Sequence, residues 1–120
     1  SILVVEDEPG TRQALELLLG LEGYAVGVAA NGLQGLEALA LGEFDLVLTD
    51  HMMPLMDGLV FLRTLREREG PTRLPVIMMS ASPRPPESML ALMDAFVAKP
   101  FEIPMLLRVI ERVLAGRRAE

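Results

Sequence analysis

Four apolar runs in this chain stop at a polar, reactive side chain. Leu46-Val47-Leu48 leads through Thr49 to Asp50, within the stretch DLVLTDHMMPLMDG. Ile2-Leu3-Val4-Val5 stops at the acid pair Glu6-Asp7, Val76-Ile77-Met78-Met79 at Ser80, and Phe96-Val97-Ala98 at Lys99. If these ends meet, three carboxylates repel one another and raise each other's pKa unless a cation sits among them. An all-oxygen set without Cys or His suits a hard ion, and Mg²⁺ fits a site that keeps waters and awaits a phosphate. An aspartate placed there can attack phosphorus and form an aspartyl phosphate. The metal would offset negative charge as the phosphoryl group arrives, while a hydroxyl and a compact ammonium take its remaining oxygens.

Taken singly, each group has a plainer explanation. Asp and Ser are good turn formers, acids favour the first turn of a helix, and Lys99 before Pro100 can be a surface charge. The lone histidine, His51, is read as a solvated loop residue pointing away from Asp50 rather than as a metal ligand. Residue usage ranks these positions for attention. Lys99 is the only lysine among eleven basic residues, and only five of the seventeen acids are Asp. An acid pair, an acid, a hydroxyl and an ammonium at four run ends favour a shared crevice over four unrelated turns.

The segments between these ends alternate between strand-like and helix-like apolar spacing. Strands are predicted at Ile2–Val5, Tyr24–Ala29, Leu46–Thr49, Pro75–Met79 and Phe96–Ala98. A first helix that Thr11 can cap carries Ala14, Leu15, Leu18 and Leu19, and Gly20 to Gly23 close it. A second, capped by Asn31, puts Leu33, Leu36, Leu39 and Ala40 on one side, and a third covers Gly58–Arg68 behind the turn residue Asp57. A short fourth helix is expected within Pro86–Met93, and a last one over about Ile103–Ala115 with Ile103, Leu106, Leu107, Ile110, Val113 and Leu114 inward.

Five such alternations imply right-handed crossovers and an α/β fold, a doubly wound five-stranded parallel sheet with helices on both faces. The flavodoxin-like order 2-1-3-4-5 is one of two plausible arrangements. Ligands of such sheets bind beyond the carboxyl ends of the strands, at the switch point. In that order strands one, three, four and five are neighbours, so Glu6, Asp7, Asp50, Ser80 and Lys99 converge.

The bulk composition sets outer bounds. With 120 residues, 51% of them hydrophobic, the chain can build one real core. A net charge of −6 argues against a nucleic-acid footprint in this segment. No apolar run is long enough to span a bilayer, no signal peptide opens the chain, and the absence of cysteine fits a cytoplasmic protein.

The pieces ILVVEDEP, DLVLTDHMMPLMDG, PVIMMSAS and AKPF, in this order, resemble the receiver domain of bacterial two-component response regulators. The resemblance covers essentially the whole length and implies a single receiver domain over residues 1–120. It implies a cytoplasmic signalling switch rather than an enzyme, catalysing only its own phosphoryl transfer and slow autodephosphorylation. The phosphoryl group would pass from a histidine of a sensor kinase or phosphotransfer protein to Asp50. Mg²⁺ would be held by the side chains of Asp7 and Asp50 and the carbonyl of Met52, with Glu6 acting through a metal-bound water. Ser80 and Lys99 would bind phosphoryl oxygens, Ser80 and Phe96 would form the switch, and the peptide Lys99-Pro100 would be cis. The positions of Met52 and Ser82 tune phosphoryl lifetime in the family. Homodimer or output-domain contact is expected through the face formed by the fourth helix, the fifth strand and the last helix.

The chain departs from the family's pattern in three places. Glu6 replaces the commoner Asp of the acid pair. Met52 puts an apolar side chain two residues after Asp50. The interval between Ser80 and Lys99 is a few residues short and carries Pro83, Pro85 and Pro86, so the fourth helix must be truncated. Met89, Leu90, Leu92 and Met93 are too apolar for one inward stripe, and with Met105 and Val109 they can form an exposed patch. The competing readings are a receiver-like module that interacts without phosphorylation and a phosphatase using Asp50 as nucleophile. The second wants an acid where Met52 stands.

Overall fold

The computed structural model describes residues 1–70 and 72–119, with side chains up to residue 116. Strands β1 (Ile2–Val5), β2 (Val26–Ala29), β3 (Leu46–Asp50), β4 (Val76–Ser80) and β5 (Ala95–Ala98) form one sheet. Their order is β2-β1-β3-β4-β5 and every neighbouring pair is parallel. Helices α1 (Pro9–Leu21), α2 (Gly32–Leu41), α3 (Gly58–Arg68) and α4 (Ile103–Ala119) supply the crossovers and the cover.

The three central strands β1, β3 and β4 are buried along their whole length, which is why they read as unbroken apolar runs. Successive side chains leave on opposite faces and divide the interior in two. Leu3, Val5, Val47, Val76 and Met78 face α2 and α3 and pack on Leu36, Phe61, Leu62 and Leu65. Ile2, Val4, Leu46, Leu48, Ile77 and Met79 face α1 and α4 and pack on Leu15, Leu19, Leu106 and Ile110. The inward stripe expected on the last helix is present, with Ile103, Leu107, Val113 and Leu114 completing it. The stripe expected on α2 is half met: Leu36 is buried and Leu39 packs against the core, but Leu33 and Ala40 are exposed, and Gly32 and Gly35 share the buried side. Gly35 sits against Phe61 and Val5, so glycine lets this helix approach the sheet closely.

Side chains close the helix starts. Asn31 accepts from the Gln34 N–H and Asp57 from the Val60 N–H. The start of α1 corrects the expectation for Thr11. Glu8 is the cap, accepting from the N–H groups of Gly10 and Thr11, while Thr11 lies in the first turn and donates its hydroxyl to Glu8. These donors hold the Glu8 carboxyl below its usual range. Strand β2 starts two residues later than expected and β5 one earlier. β3 and β4 reach through Asp50 and Ser80, so these are the last residues of strands rather than the first of loops.

The fourth helix is not merely short. Between β4 and β5 there is a single 3₁₀ turn, Glu87–Met89. Three prolines lack N–H donors, Pro86 is extended, and too few residues remain for a helix to propagate. Met89 and Met93 are buried in the core and Leu92 packs against it, leaving Leu90 as the exposed member of that apolar set. Met105 is exposed, whereas Val109 packs onto the α1/α4 core instead of joining a patch.

Arg66 on α3 does much of what the missing helix would do. Its guanidinium donates to the carbonyl of Leu92 at 2.7 and 3.0 Å and to that of Leu74 at 2.7 Å. It also pairs with Glu69 at 2.9 Å and Asp94 at 3.3 Å, with only 10% of its own side chain exposed. Asp94 in turn accepts from the Val76 N–H and from Arg73. Arg66→Met is therefore expected to cost about 2 kcal/mol, since two part-buried carbonyls and two partly exposed carboxylates lose their donor. Arg73→Met, nearly half exposed, is expected to cost under about 1 kcal/mol. Urea unfolding of the two variants checks the contrast, and equal losses would contradict it.

Candidate functional site

Parallel register brings the chemistry together. Asp50 is paired with Met79 and Ser80 with Ala98, so β3, β4 and β5 end side by side. The ladder continues one residue beyond each strand. Glu6 N–H donates to Ala29 O, His51 N–H to Met79 O and Lys99 N–H to Ser80 O, at 3.0, 2.9 and 2.7 Å. The loop after β3 is clamped as well. Gly58 N–H donates to His51 O at 2.7 Å, and a Cβ at Gly58 would stand 3.0 Å from Asp50 O and from His51 Cα. Only glycine lets the start of α3 press so closely on the strand exit.

Oxygens of Glu6, Asp7 and Asp50 all lie within 4.8 Å of one another. Glu6 and Asp50 are buried, and Asp7 reaches solvent. Lys99 Nζ enters this group from β5, 3.2 Å from Asp50 Oδ2 and 3.3 and 3.4 Å from the two oxygens of Glu6. Burial, and then the neighbouring Asp50 charge, push Glu6 up to about 7 against the opposing pull of Lys99. Burial works against the charge on Lys99, but Asp50 and Glu6 outweigh it and the lysine is raised. Carboxylates crowded around one ammonium still carry excess negative charge. The donor set is all oxygen, which fits a hard divalent cation.

Of the expected site residues, Glu6, Asp7, Asp50 and Lys99 therefore form one cluster. Ser80 stands at the neighbouring strand end, 2% exposed, its Oγ accepting from the Ser82 N–H at 3.1 Å. Ser82 turns its own hydroxyl to the carbonyl of Arg84. Phe96 is partly buried and packs onto the α2/α3 core, beside Met78 across the β4–β5 ladder. The Met52 side chain is 69% exposed. The peptide Lys99-Pro100 is cis.

Two residues escaped the sequence reading. Arg12 donates to the carbonyls of Glu6 at 2.9 Å and Asp7 at 3.4 Å, holding the backbone of the acid pair from the second turn of α1. Its only signal was position, a cation one helical turn beyond the cap and close to the acids. His51 is the correction. Its ring is not in solvent but partly buried, with Nδ1 3.3 Å from Ser80 Oγ, and its N–H also reaches Asp50 Oδ1 at 2.9 Å.

Comparison with known proteins agrees with this geometry. Residues 2–111 match the response regulator receiver domain family. The chain is 42% identical over 116 residues to the transcriptional regulatory protein YkoG of Bacillus subtilis, covering 94% of this chain and 50% of that one. It spans about half the length of the curated relatives it matches. Among solved structures, the response regulator TrrA of Thermotoga maritima, in complex with Mg²⁺-BeF, superposes with a TM-score of 0.84 at 32% identity, covering 93% of this chain and 96% of that one. The receiver domain of a sensor histidine kinase of Pseudomonas aeruginosa, with a magnesium ion in its active-site cleft, gives 0.86 at 31% identity, covering 95% and 96%.

The raised Glu6 sets a pH dependence of defined sign. The metal-free folded state keeps this proton to higher pH than the unfolded chain. The resulting stability is complete below the ordinary value of 4.5 and is lost as pH rises through about 7. Glu6→Gln, which cannot ionise, is expected to gain stability over wild type between about pH 5 and about pH 8. Urea midpoints in the presence of a chelator measure it, and a difference independent of pH would contradict the assignment.

Proposed function

The chain belongs to the response regulator receiver domain family, and we propose that its Asp50 accepts a phosphoryl group from a histidine of a sensor kinase or phosphotransfer protein. The observation that carries this reading is the pairing of Lys99 Nζ with Asp50 Oδ2 at 3.2 Å inside the cluster of Glu6, Asp7 and Asp50. Asp50 Oδ attacks phosphorus as the bond to the donor nitrogen breaks, and the imidazole leaves with the electron pair. Lys99 and the Ser80 hydroxyl then take phosphoryl oxygens that would otherwise face buried carboxylates unpaired. Asp7, Asp50 and the carbonyl of Met52 are the proposed holders of Mg²⁺, with Glu6 contacting it through water. When bound, the ion neutralises charge that the lone ammonium leaves uncompensated.

The response follows from a competition. Ser80 moves towards the phosphoryl group and Phe96 turns into the space released, a population shift driven by contacts available only to the phosphorylated state. Met52 offers no group that could orient a water on phosphorus, and the Ser82 hydroxyl is committed to Arg84. Slow autodephosphorylation follows from both. In the cytoplasm, the face formed by the 3₁₀ turn, β5 and α4 would pass the signal to an output domain or a second copy, with Leu90 and Met105 exposed on it. The loss of the fourth helix is the one observation favouring an interaction module that works without phosphorylation.

Incubation with Mg²⁺ and a small phosphodonor separates the two readings. The expected result is an acid-stable, base-labile mass gain of one phosphoryl group in wild type and none in Asp50→Asn. No gain in wild type under donor excess would overturn the proposal. Lys99→Ala is expected to fold and accept phosphate but to lose the accompanying change in amide exchange around Ser80 and Phe96. An unaltered exchange response would remove Lys99 from the switch.

A further inference from the structure

Ser80 is enclosed, and its hydroxyl has one hydrogen to give. The oxygen already accepts from the Ser82 N–H, so the ordering of that hydrogen depends on which acceptor stands nearby. Among the described residues the ring atom at hydrogen-bonding distance is His51 Nδ1, at 3.3 Å, which in the Nε2–H tautomer accepts that hydrogen. The imidazole is placed there by the fold rather than by chance. The His51 N–H is shared between Met79 O and Asp50 Oδ1, both at 2.9 Å, and its carbonyl takes the Gly58 N–H at 2.7 Å. Gly58 also lies against His51 Cα. The main chain of His51 is thus fixed on three sides, and its ring bridges from the end of β3 to the end of β4.

We propose that His51 is a positioning residue, whose imidazole holds the Ser80 hydroxyl in the unphosphorylated arrangement and must release it before that hydroxyl can bind a phosphoryl oxygen on Asp50. The inference rests on the phosphoacceptor reading of Asp50. One hydrogen cannot serve two acceptors, so the bond to Nδ1 competes directly with the bond to the phosphoryl group. Breaking it is part of the free-energy cost of switching, and the same residue that follows the acceptor aspartate in sequence sets that cost. His51 makes no contact with the reacting atoms through its ring. It acts through Ser80.

The probe is Mg²⁺ with beryllium fluoride, titrated into the intact chain. Loss of one ordinary hydrogen bond from the unliganded state should tighten its binding to His51→Ala by roughly three- to tenfold over wild type. His51→Asn, whose amide oxygen stands where Nδ1 does, should remain within about twofold of wild type. In a Ser80→Ala background the His51→Ala substitution should change binding by less than about twofold, because the competed hydrogen is gone. Unchanged or weaker binding by His51→Ala would overturn the proposal, as would a gain that persists without the Ser80 hydroxyl. If wild type itself binds no beryllium fluoride, the phosphoacceptor reading fails; if wild type binds and the cycle shows no coupling, only the role of His51 fails.

Discussion

One ammonium between two buried carboxylates is the interaction on which the rest of this structure depends. Glu6 and Asp50 are 1% and 7% exposed, and Lys99 places its ammonium against both. The balance is incomplete, because burial and Asp50 still drive Glu6 up to about 7. The crevice is therefore built to be short of positive charge. That shortage would be a liability in a merely structural cluster, and it is the property a metal-assisted phosphoryl acceptor needs.

The fold exists to bring that ammonium and those carboxylates together. Glu6 and Lys99 are separated by 93 positions in sequence, and no local element could unite them. A parallel sheet with fixed register does so, because the strands emerge at the same edge and the β1–β2, β3–β4 and β4–β5 ladders each continue one bond beyond it. The same bonds tie the parts of the site to one another. Lys99 N–H donates to Ser80 O, so a displacement at the end of β4 is felt at the end of β5, three residues from Phe96.

Much of this was legible in the sequence, for a physical reason. Strands buried on both faces are continuous apolar runs, and their ends are marked by Asp50, Ser80 and Lys99, the first charged or reactive side chains after each run. Topology followed from the strand–helix alternation, and convergence of the site from topology. What was missed lies in contacts that carry no periodic signal. Nothing in the spacing says that the His51 ring turns to Ser80, or that Arg12 reaches back to the carbonyls of Glu6 and Asp7. The segment after β4 was misread in degree. Its prolines pointed to a truncated helix, but they did not reveal that Arg66, 26 residues before its acceptor at Leu92, ties the end of the segment down. The expected exposed patch shrank for the same reason, since a segment drawn in by Arg66 buries Met89 and Met93.

The arrangement of Arg66 also decides where motion can occur. Leu92 and Asp94 are held by the guanidinium and by Val76, and Asp94 N–H closes onto Val76 O at 2.8 Å. Releasing that end would break several hydrogen bonds of one guanidinium together, a larger cost than turning one serine hydroxyl. At the other end, Ser82 and the residues to Pro86 are held by few bonds and include three prolines without donors. Within the β4–β5 connection, the stretch from Ala81 to about Met89 thus lies between a held strand end and a held anchor. In a receiver with a full fourth helix the signal can be carried by a rigid cylinder. Here that segment is a proline-rich loop ending in one turn with Leu90 exposed beside it, so a response carried through it, alongside the movement proposed for Phe96, would be a change in loop shape.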